Sequence, residues 1–239
     1  MALITCKDAA FAYEGRTVVD GLNFAVQQGD YLCIVGENGS GKSTLMKGIL
    51  GLMTPRHGQI SMDDGLKSTQ IGYLPQQSPS QKDFPASVYE VVISGRLSSR
   101  GIAPFYSKAD KQAALDNMER LGILPLRKKS FRELSGGQQQ RALLGRALCA
   151  AKKALLLDEP ASGLDPIVTE ELYSTIKSLS KDMGITIIMI SHDIKAAVQY
   201  ASHILHLQNK QMFFGVTDNY VKSDIGRLFL KGGESNGGN

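Results

Sequence analysis

The sequence predicts an α/β fold with a mainly parallel sheet, on the basis of the order and the composition of its apolar segments. Short apolar runs alternate with helix-prone stretches, as in a parallel sheet whose strands are joined by crossover helices. Two runs, Tyr31–Val35 and Ala154–Asp158, lack the alternation of a half-exposed strand, so we expect both of their faces to be covered. Residues 186–191 are rich in β-branched side chains and predict a third buried strand.

Further strands are predicted near both ends of the chain. Residues 3–5 and 22–26 are short apolar segments that we expect to pair antiparallel at one side of the sheet. Residues 203–207 and 211–214 are separated by three polar residues and predict a late hairpin.

The middle of the chain has a different character. Between about residues 78 and 134 the strand signals vanish, and helical patterns occupy residues 88–95 and 109–121. We therefore expect a helical lobe inserted into a sheet domain. At 239 residues the chain is near the upper size for a single hydrophobic core.

These patterns predict one domain over residues 1–230. Residues 1–77 and 136–230 would form the catalytic core, and residues 78–135 the helical subdomain. The last residues, 231–239, are polar and rich in glycine and predict a disordered tail.

Composition argues against several classes of protein. The net charge of +4 is spread along the chain, and aromatic residues make up only 7%, so a basic, aromatic nucleic-acid surface is not expected. No apolar stretch has the length of a bilayer span, and no signal peptide is evident. The cysteines, Cys6, Cys33 and Cys149, lack C-x-x-C spacing and have apolar neighbours, which predicts buried thiols in a reducing, cytosolic compartment.

A glycine-rich segment follows the first buried strand. It reads GENGSGKST and fits the pattern G-x-x-x-x-G-K-[ST] between a strand and a helix. Such glycines let successive N–H groups surround phosphates, while the lysine reaches the β- and γ-phosphates and the hydroxyl after it ligates Mg²⁺. We therefore predict a nucleoside triphosphate site at Gly36, Glu37, Asn38, Gly39, Ser40, Gly41, Lys42, Ser43 and Thr44.

Two adjacent carboxylates end the apolar run at 154–157. Buried carboxylates are costly unless a cation or substrate uses them, and Pro160 prevents the strand from continuing. Asp158 is the candidate Mg²⁺ ligand, and Glu159 is the candidate base for the attacking water. The alternative is that Asp158 caps a turn while Glu159 is solvated.

A second glycine-rich motif, LSGGQ at residues 134–138, precedes a helix-like sequence and contains no lysine. Ser135 is a good N-cap, and Gly136 and Gly137 leave backbone N–H groups bare, so this helix start is suited to an anion. Because Gly36 to Thr44 already accounts for one triphosphate, Ser135 to Gln138 would serve the γ-phosphate on a second copy related by a two-fold axis. The alternative is an ordinary glycine-rich helix start.

Together the motifs resemble those of the ATP-binding subunits of ABC transporters. The phosphate loop, LSGGQ, LLLDEP at 155–160, residues 162–165 and residues 191–193 stand in that family's order over nearly the whole chain. The resemblance implies a P-loop NTPase (ABC ATPase) core with a mainly parallel sheet, an antiparallel β portion and an inserted helical subdomain. It also implies hydrolysis of ATP with Mg²⁺ by a homodimer at the cytoplasmic face of the membrane. Its partners would be permease subunits and, indirectly, an extracytoplasmic metal-binding protein.

The resemblance assigns roles to further residues. Tyr13 resembles the aromatic residue that stacks on adenine, and Asp165 the residue that crosses the dimer interface. Gln76 resembles the glutamine that contacts Mg²⁺ or the water and joins the two lobes. His192 resembles the histidine that contacts the γ-phosphate. It also follows a buried strand, at the edge where ligands of such sheets bind, although an ordinary loop histidine is the alternative.

Residues 83–96 indicate a subfamily. They resemble the FP-x-[ST]-V-x-[DE]-V-V-x-x-GR segment of ATPases from zinc and manganese import systems, and importers of iron-siderophore and cobalamin complexes share a looser version. A soluble ABC ATPase of DNA repair or translation is a rival, but those carry long coiled-coil insertions or two modules. Export also remains open. His203 and His206 would lie on opposite faces of a strand as surface histidines, so recognition of the ion is assigned to other subunits.

Overall fold

The structure, a computed structural model, describes residues 2–62, 65–67, 70–76, 85–99 and 104–232. The strands are β1 (Ala2–Tyr13), β2 (Arg16–Gln27), β3 (Tyr31–Val35), β4 (His57–Met62), β5 (Ile71–Leu74), β6 (Ala154–Asp158), β7 (Thr186–Ile190), β8 (His203–Leu207) and β9 (Gln211–Val216). The α-helices are α1 (Lys42–Ile49), α2 (Val88–Ile93), α3 (Lys108–Arg120), α4 (Gly136–Ala150), α5 (Pro166–Met183), α6 (Ile194–Tyr200), α7 (Thr217–Lys222) and α8 (Asp224–Gly232). Short 3₁₀ turns lie at Ser94–Ser99, Leu124–Leu126 and Phe131–Glu133.

Among the described residues, the central sheet has six strands in the order β5-β6-β7-β3-β8-β9. All neighbouring pairs are parallel except β8 with β9, which forms the predicted hairpin. The predicted α/β fold with a mainly parallel sheet is confirmed. Because parallel strands all end at the same edge, the loops after β3, β5, β6 and β7 lie side by side there.

Both faces of the buried strands are covered, as their continuous apolar character predicts. In β3, Cys33 and Val35 belong to one hydrophobic core, while Leu32 and Ile34 belong to another. The first core joins the sheet to α2, α3, α4 and α5. The second joins it to α1 and to the antiparallel sheet. Cys6, Cys33 and Cys149 are buried.

The antiparallel portion is larger than the sequence pattern indicates. β1 and β2 are each 12 residues long, and a second sheet has the order β2-β1-β4. Register shifts along the β1–β2 pair interrupt the alternation of polar and apolar residues. The sequence pattern therefore predicted only residues 3–5 and 22–26 of these two strands. β4 is largely exposed, and β5 has only four residues, so neither presented an apolar run.

The helical lobe lies between β5 and α4, where it was expected. α2 and α3 each begin with a capping box, in which Ser87 pairs with Glu90 and Ser107 with Asp110. Asp110 also accepts from Arg96 at 2.7 Å, and hydrogen bonds from Ser107 and Arg96 lower the pKa of Asp110 to about 2. The lobe boundaries at 78 and 135 stay a prediction. α8 continues through Gly232, and the rest of the predicted tail lies outside the described residues.

The expectation of a surface histidine is wrong for His206. Its side chain is completely buried because β9, α7 and α8 cover that face of β8, with Phe229 4.6 Å from its ring. Its Nδ1 lies 2.8 Å from the Tyr220 hydroxyl, and its Nε2 has no hydrogen-bond partner among the described residues. Burial, helped by the charge of Lys42, lowers the pKa of His206 from 6.5 to about 4. His203, on the opposite face, is partly exposed and stacks on Phe214.

Within the described part of the chain, no helix is both long enough and apolar enough to cross a lipid bilayer.

The buried imidazole should make stability depend on pH. As pH falls from 6.5 to about 4, the unfolded chain binds a proton at His206 that the folded chain refuses, so stability decreases across that window and is fully present above it. The whole difference amounts to about 3 kcal/mol. His206→Asn should be less stable near neutral pH but should lose this slope, as measured by urea unfolding between about pH 5 and pH 8.

The partly exposed His203 provides a matched control. His203→Asn should keep the slope of the unmutated chain, because His206 is still present. A stability difference between the unmutated chain and His206→Asn that is the same at every pH would contradict the prediction.

Candidate active site

The phosphate loop connects β3 to α1, and two of its glycines are required by close contacts. A Cβ at Gly36, whose φ is 143°, would lie 2.1 Å from the Leu207 carbonyl oxygen. A Cβ at Gly41, whose φ is 98°, would lie 2.7 Å from Cβ of Val19. Gly41 is the N-cap of α1, and no side chain in the described ranges caps this helix. The N–H groups of the first turn are therefore left for a ligand.

Lys42 is folded back over this loop. Its Nζ donates to the carbonyl oxygens of Gly36 at 2.8 Å and Glu37 at 2.7 Å, and only 5% of the residue is exposed. Burial lowers the pKa of Lys42, while the charges of Glu159, Asp158 and Glu37 act in the opposite direction. The ammonium group is thus held by neutral carbonyls, which a phosphate group can replace at a gain in charge neutralisation.

Two hydroxyl groups of the loop have different surroundings. The Ser40 hydroxyl is buried and has no hydrogen-bond partner among the described residues, an arrangement that costs free energy unless a ligand supplies one. Ser43 is exposed and lines the cleft in front of the loop.

The carboxylate pair lies at the end of β6. Asp158 is 8% exposed and pairs with Ile190 of β7; burial raises its pKa, as does the neighbouring charge of Glu159, while His192 and Lys42 oppose the shift. Glu159 has a left-handed backbone with a φ of 49°, which is rare for a residue other than glycine. Its N–H donates to the Ile190 carbonyl oxygen at 3.2 Å, which holds this conformation in place.

Three predicted site residues meet at the Glu159 carboxylate. The Gln76 amide donates to Oε2 at 2.8 Å, and Nε2 of His192 is in contact with Oε1. Gln76, Glu159 and His192 follow β5, β6 and β7, which are neighbours in the sheet. Only 14% of the Glu159 side chain is exposed, so a solvated carboxylate is ruled out.

A single cleft of about 160 Å³ brings the phosphate loop and two of these residues together. Its lining residues are Val18, Asn38, Gly39, Gly41, Lys42, Ser43, Thr44, Glu159 and His192. No pattern in the sequence marks Val18, because an aliphatic residue within a strand is indistinguishable from a packing residue. The cleft therefore combines a phosphate cradle, a cation, a carboxylate and an imidazole.

The LSGGQ motif forms the start of α4, as expected. Ser135 is the N-cap, and it forms a capping box with Gln138. A Cβ at Gly137 would lie 2.6 Å from a methyl group of Val168, so glycine allows α5 to pack closely here. The groove at this helix start includes Arg141 and Glu171, which form a 2.7 Å ion pair, and it shares no residue with the phosphate-loop cleft. Within one chain the two glycine motifs thus face different clefts.

The remaining predicted residues lie at the surface. Asp165 is exposed and caps α5 by accepting from the Val168 N–H at 3.0 Å. Tyr13 is the last residue of β1 and is 46% exposed. Its hydroxyl accepts from Lys47 Nζ at 3.2 Å, and that ammonium group lies 5.8 Å from the ring centroid.

Comparisons with known proteins agree with this arrangement. The family model described as ABC transporter matches residues 19–162. The manganese transport system ATP-binding protein MntB of Bacillus subtilis is 37% identical over 95% of this chain and 95% of its own length. The zinc transport system ATP-binding protein AdcC of Streptococcus pneumoniae is 34% identical over 88% of this chain and 92% of its own length.

A solved structure gives the same result for the fold. An inward-facing metal-chelate type ABC transporter has a chain that superposes with a TM-score of 0.85 at 30% identity, over 97% of this chain and 90% of the other. The chain belongs to the ABC transporter family, as an ATP-binding subunit that hydrolyses ATP.

Proposed function

We propose that this chain powers the import of a divalent metal ion, zinc or manganese, through a membrane-spanning permease. Support for the cargo comes from the relatives named as manganese and zinc transport proteins, at 37% and 34% identity. It also comes from residues 83–96, of which 85–96 lie in the described structure and form the start of the helical lobe. The observation that carries the proposed chemistry is the contact of Gln76 and His192 with the Glu159 carboxylate beside the phosphate loop.

In this proposal the loop from Gly36 to Thr44 holds the triphosphate. Its N–H groups and the start of α1 face the phosphates, and Lys42 exchanges its carbonyl partners for the β- and γ-phosphate oxygens. The exposed ring of Tyr13 stacks on adenine.

The residues present are suited to Mg²⁺ bound with ATP. The Ser43 hydroxyl, the Asp158 carboxylate and the Gln76 side chain supply oxygen donors, which Mg²⁺ prefers. Burial and the charge of Glu159 raise the pKa of Asp158, so a cation beside this carboxylate would be favourable. Bound Mg²⁺ would neutralise charge on the β- and γ-phosphates.

Glu159 is proposed to take the proton from the attacking water at a carboxylate oxygen. Gln76 and His192 orient that carboxylate from its two sides, and both can turn toward the γ-phosphate and the water once nucleotide fills the cleft.

A second copy of the chain is proposed to complete each site. The LSGGQ groove and the phosphate-loop cleft share no residue, so one chain alone does not present Ser135, Gly136, Gly137 and Gln138 to its own triphosphate. Two-fold pairing places the LSGGQ of each copy on the γ-phosphate held by the other. Asp165, exposed at the start of α5, lies at this interface in the proposal.

The permease is proposed to contact the helical lobe at the cytoplasmic face of the membrane. Gln76 is the second residue after β5, on the side of the strand that leads toward the lobe. Its bond to Glu159 is therefore proposed to transmit closure of the site to the lobe. The lobe has a groove lined by Tyr89 and Leu115 and by the basic side chains of Lys111, Arg127 and Lys128, and we propose this groove as the contact surface for the permease. An extracytoplasmic metal-binding protein would deliver the ion to the permease.

Removing the proposed base should separate binding from turnover. Glu159→Gln should bind ATP with unchanged affinity and slow hydrolysis by a factor on the order of 10²–10⁴, because an amide cannot take the proton. Single-turnover ATPase assays and nucleotide titration measure the two effects. Glu170→Gln, an exposed carboxylate change on α5, is the control and should hydrolyse normally. Near-normal hydrolysis by Glu159→Gln would remove Glu159 from this role.

Blocking the LSGGQ motif should show whether ATP hydrolysis requires two copies of the chain. Ser135→Arg should abolish ATP hydrolysis while each monomer still binds ATP with unchanged affinity, because the altered surface belongs to the partner's site. Ser107→Arg is the control, because it removes the same type of capping box from α3. This variant should be less stable but should hydrolyse ATP at the normal rate. The proposal is contradicted if Ser135→Arg hydrolyses ATP normally. It is also contradicted if a strictly monomeric preparation of the unmutated chain hydrolyses ATP at full rate, with no rise in specific activity when it is concentrated.

Loss of the chain should lower the cellular content of its cargo. Cells that lack it should contain less manganese or zinc by elemental mass spectrometry when that ion is scarce. The original sequence should restore the content, and Glu159→Gln should not. A fall in iron or cobalt alone would instead favour a metal-chelate importer.

A further inference from the structure

We propose that Asn209 is a positioning residue for the phosphate loop. By this inference it holds the carbonyl groups of Gly39 and Ser40 away from the nucleotide, so that the Gly41 N–H of the Ser40–Gly41 peptide faces it. The inference rests on the proposed role of residues 36–44 in holding the ATP phosphates.

Asn209 lies in the turn between β8 and β9, about 170 residues beyond the loop in sequence but in direct contact with it. Its side-chain amide donates to the Gly39 carbonyl oxygen at 3.2 Å and to the Val18 carbonyl oxygen at 3.0 Å. Its backbone N–H donates to the Ser40 carbonyl oxygen at 3.2 Å, and its own carbonyl oxygen accepts from the Asp20 N–H at 3.1 Å. One residue therefore joins β2, the phosphate loop and the turn after β8.

Because the peptide group is planar, these contacts also determine which way the N–H groups of the loop point. In a trans peptide the C=O and the N–H point in opposite directions. Because the Ser40 carbonyl is held toward Asn209, the Gly41 N–H is directed to the other side, where Gly39, Gly41 and Lys42 line the cleft. The bond to the Gly39 carbonyl fixes the preceding peptide, whose Ser40 N–H donates within the loop to the Glu37 carbonyl oxygen at 3.3 Å. Asn209 itself does not line the cleft, so it acts through the loop.

The residue type is suited to this position. Asn209 has a φ of 56°, a left-handed conformation that asparagine tolerates better than most residues. Its NH₂ group supplies two donors, which match the two carbonyls that it contacts. Just before the turn, the Leu207 carbonyl oxygen lies against Gly36, so the same segment supports the loop at its beginning and in its middle.

A simpler role for Asn209 would be to link two strands, with no effect on nucleotide binding. The neighbouring Gln211 provides such a tie and serves as a matched control. Its side chain accepts from the Asn23 N–H and donates to the Asn23 carbonyl oxygen, both at 2.8 Å, so it links β9 to β2 without contacting the phosphate loop.

The test compares Asn209→Gly, Asn209→Asp and Gln211→Ala in the full chain. Glycine keeps the left-handed backbone and the N–H to Ser40 but removes the amide, whereas aspartate is similar in size and places a carboxylate against two carbonyl oxygens. Asn209→Gly should raise the Kd and KM for Mg·ATP roughly tenfold, with a smaller change in kcat, as expected for losing about one hydrogen bond that orients the loop. Asn209→Asp should raise both further. Gln211→Ala should lower the melting temperature and leave the Kd unchanged.

Lys42→Ala separates failure of this inference from failure of the proposed function. If Lys42→Ala binds Mg·ATP as well as the unmutated chain, the assigned role of the loop is wrong. If Lys42→Ala loses binding but both Asn209 variants keep a Kd within about twofold of the unmutated chain, the loop holds its shape without Asn209, and this inference alone is overturned.

Discussion

The site depends on the register of the parallel strands. β6 pairs with β7 so that Asp158 is level with Ile190, and β7 pairs with β3 so that Ile190 is level with Ile34. The loops that carry Glu159, His192 and the phosphate loop therefore begin at the same height. A shift of one residue in the register of a strand would turn each of its side chains to the opposite face of the sheet. Residues that now pack in one hydrophobic core would then face the other core. Burial on both faces thus fixes the position of the proposed catalytic groups, which contribute little to the core themselves.

Strained and unpaired groups collect at this edge of the sheet. Glu159 has a positive φ although it is not glycine, the Ser40 hydroxyl lacks a partner in the described structure, and Asp158 is a buried carboxylate. Each feature costs free energy in the chain alone, and the packed sheet on both sides offsets that cost. In the proposed function a triphosphate with Mg²⁺ would supply partners for the same groups, so binding free energy would be available where the fold is least satisfied.

The sequence predicted the parts of the molecule that depend on local pattern. Continuous apolar runs showed the buried strands, and the glycine–lysine–serine spacing showed the phosphate loop, because both patterns are set by residues close together in sequence. His206 was misjudged because its cover comes from α7 and α8, which contact β8 only in the folded chain. Asn209 escaped notice for the same reason, since an asparagine between two strands is an ordinary turn residue until its contacts with Gly39 and Val18 are seen.

The start of α4 suggests why ATP, rather than ADP, would hold two copies together. Ser135 Oγ accepts the N–H of Gln138, which is the third residue of the helix. The N–H groups of Gly136 and Gly137 lie at the N-terminal end of α4, which carries partial positive charge. Because glycine has no Cβ, a ligand can approach these N–H groups closely. In the proposed dimer these groups meet the γ-phosphate, which ADP lacks. ATP then binds the closed pair better than the open one, and that difference in affinity is what a ligand needs in order to drive a conformational change. Hydrolysis removes the γ-phosphate from this contact and returns the balance to the open state.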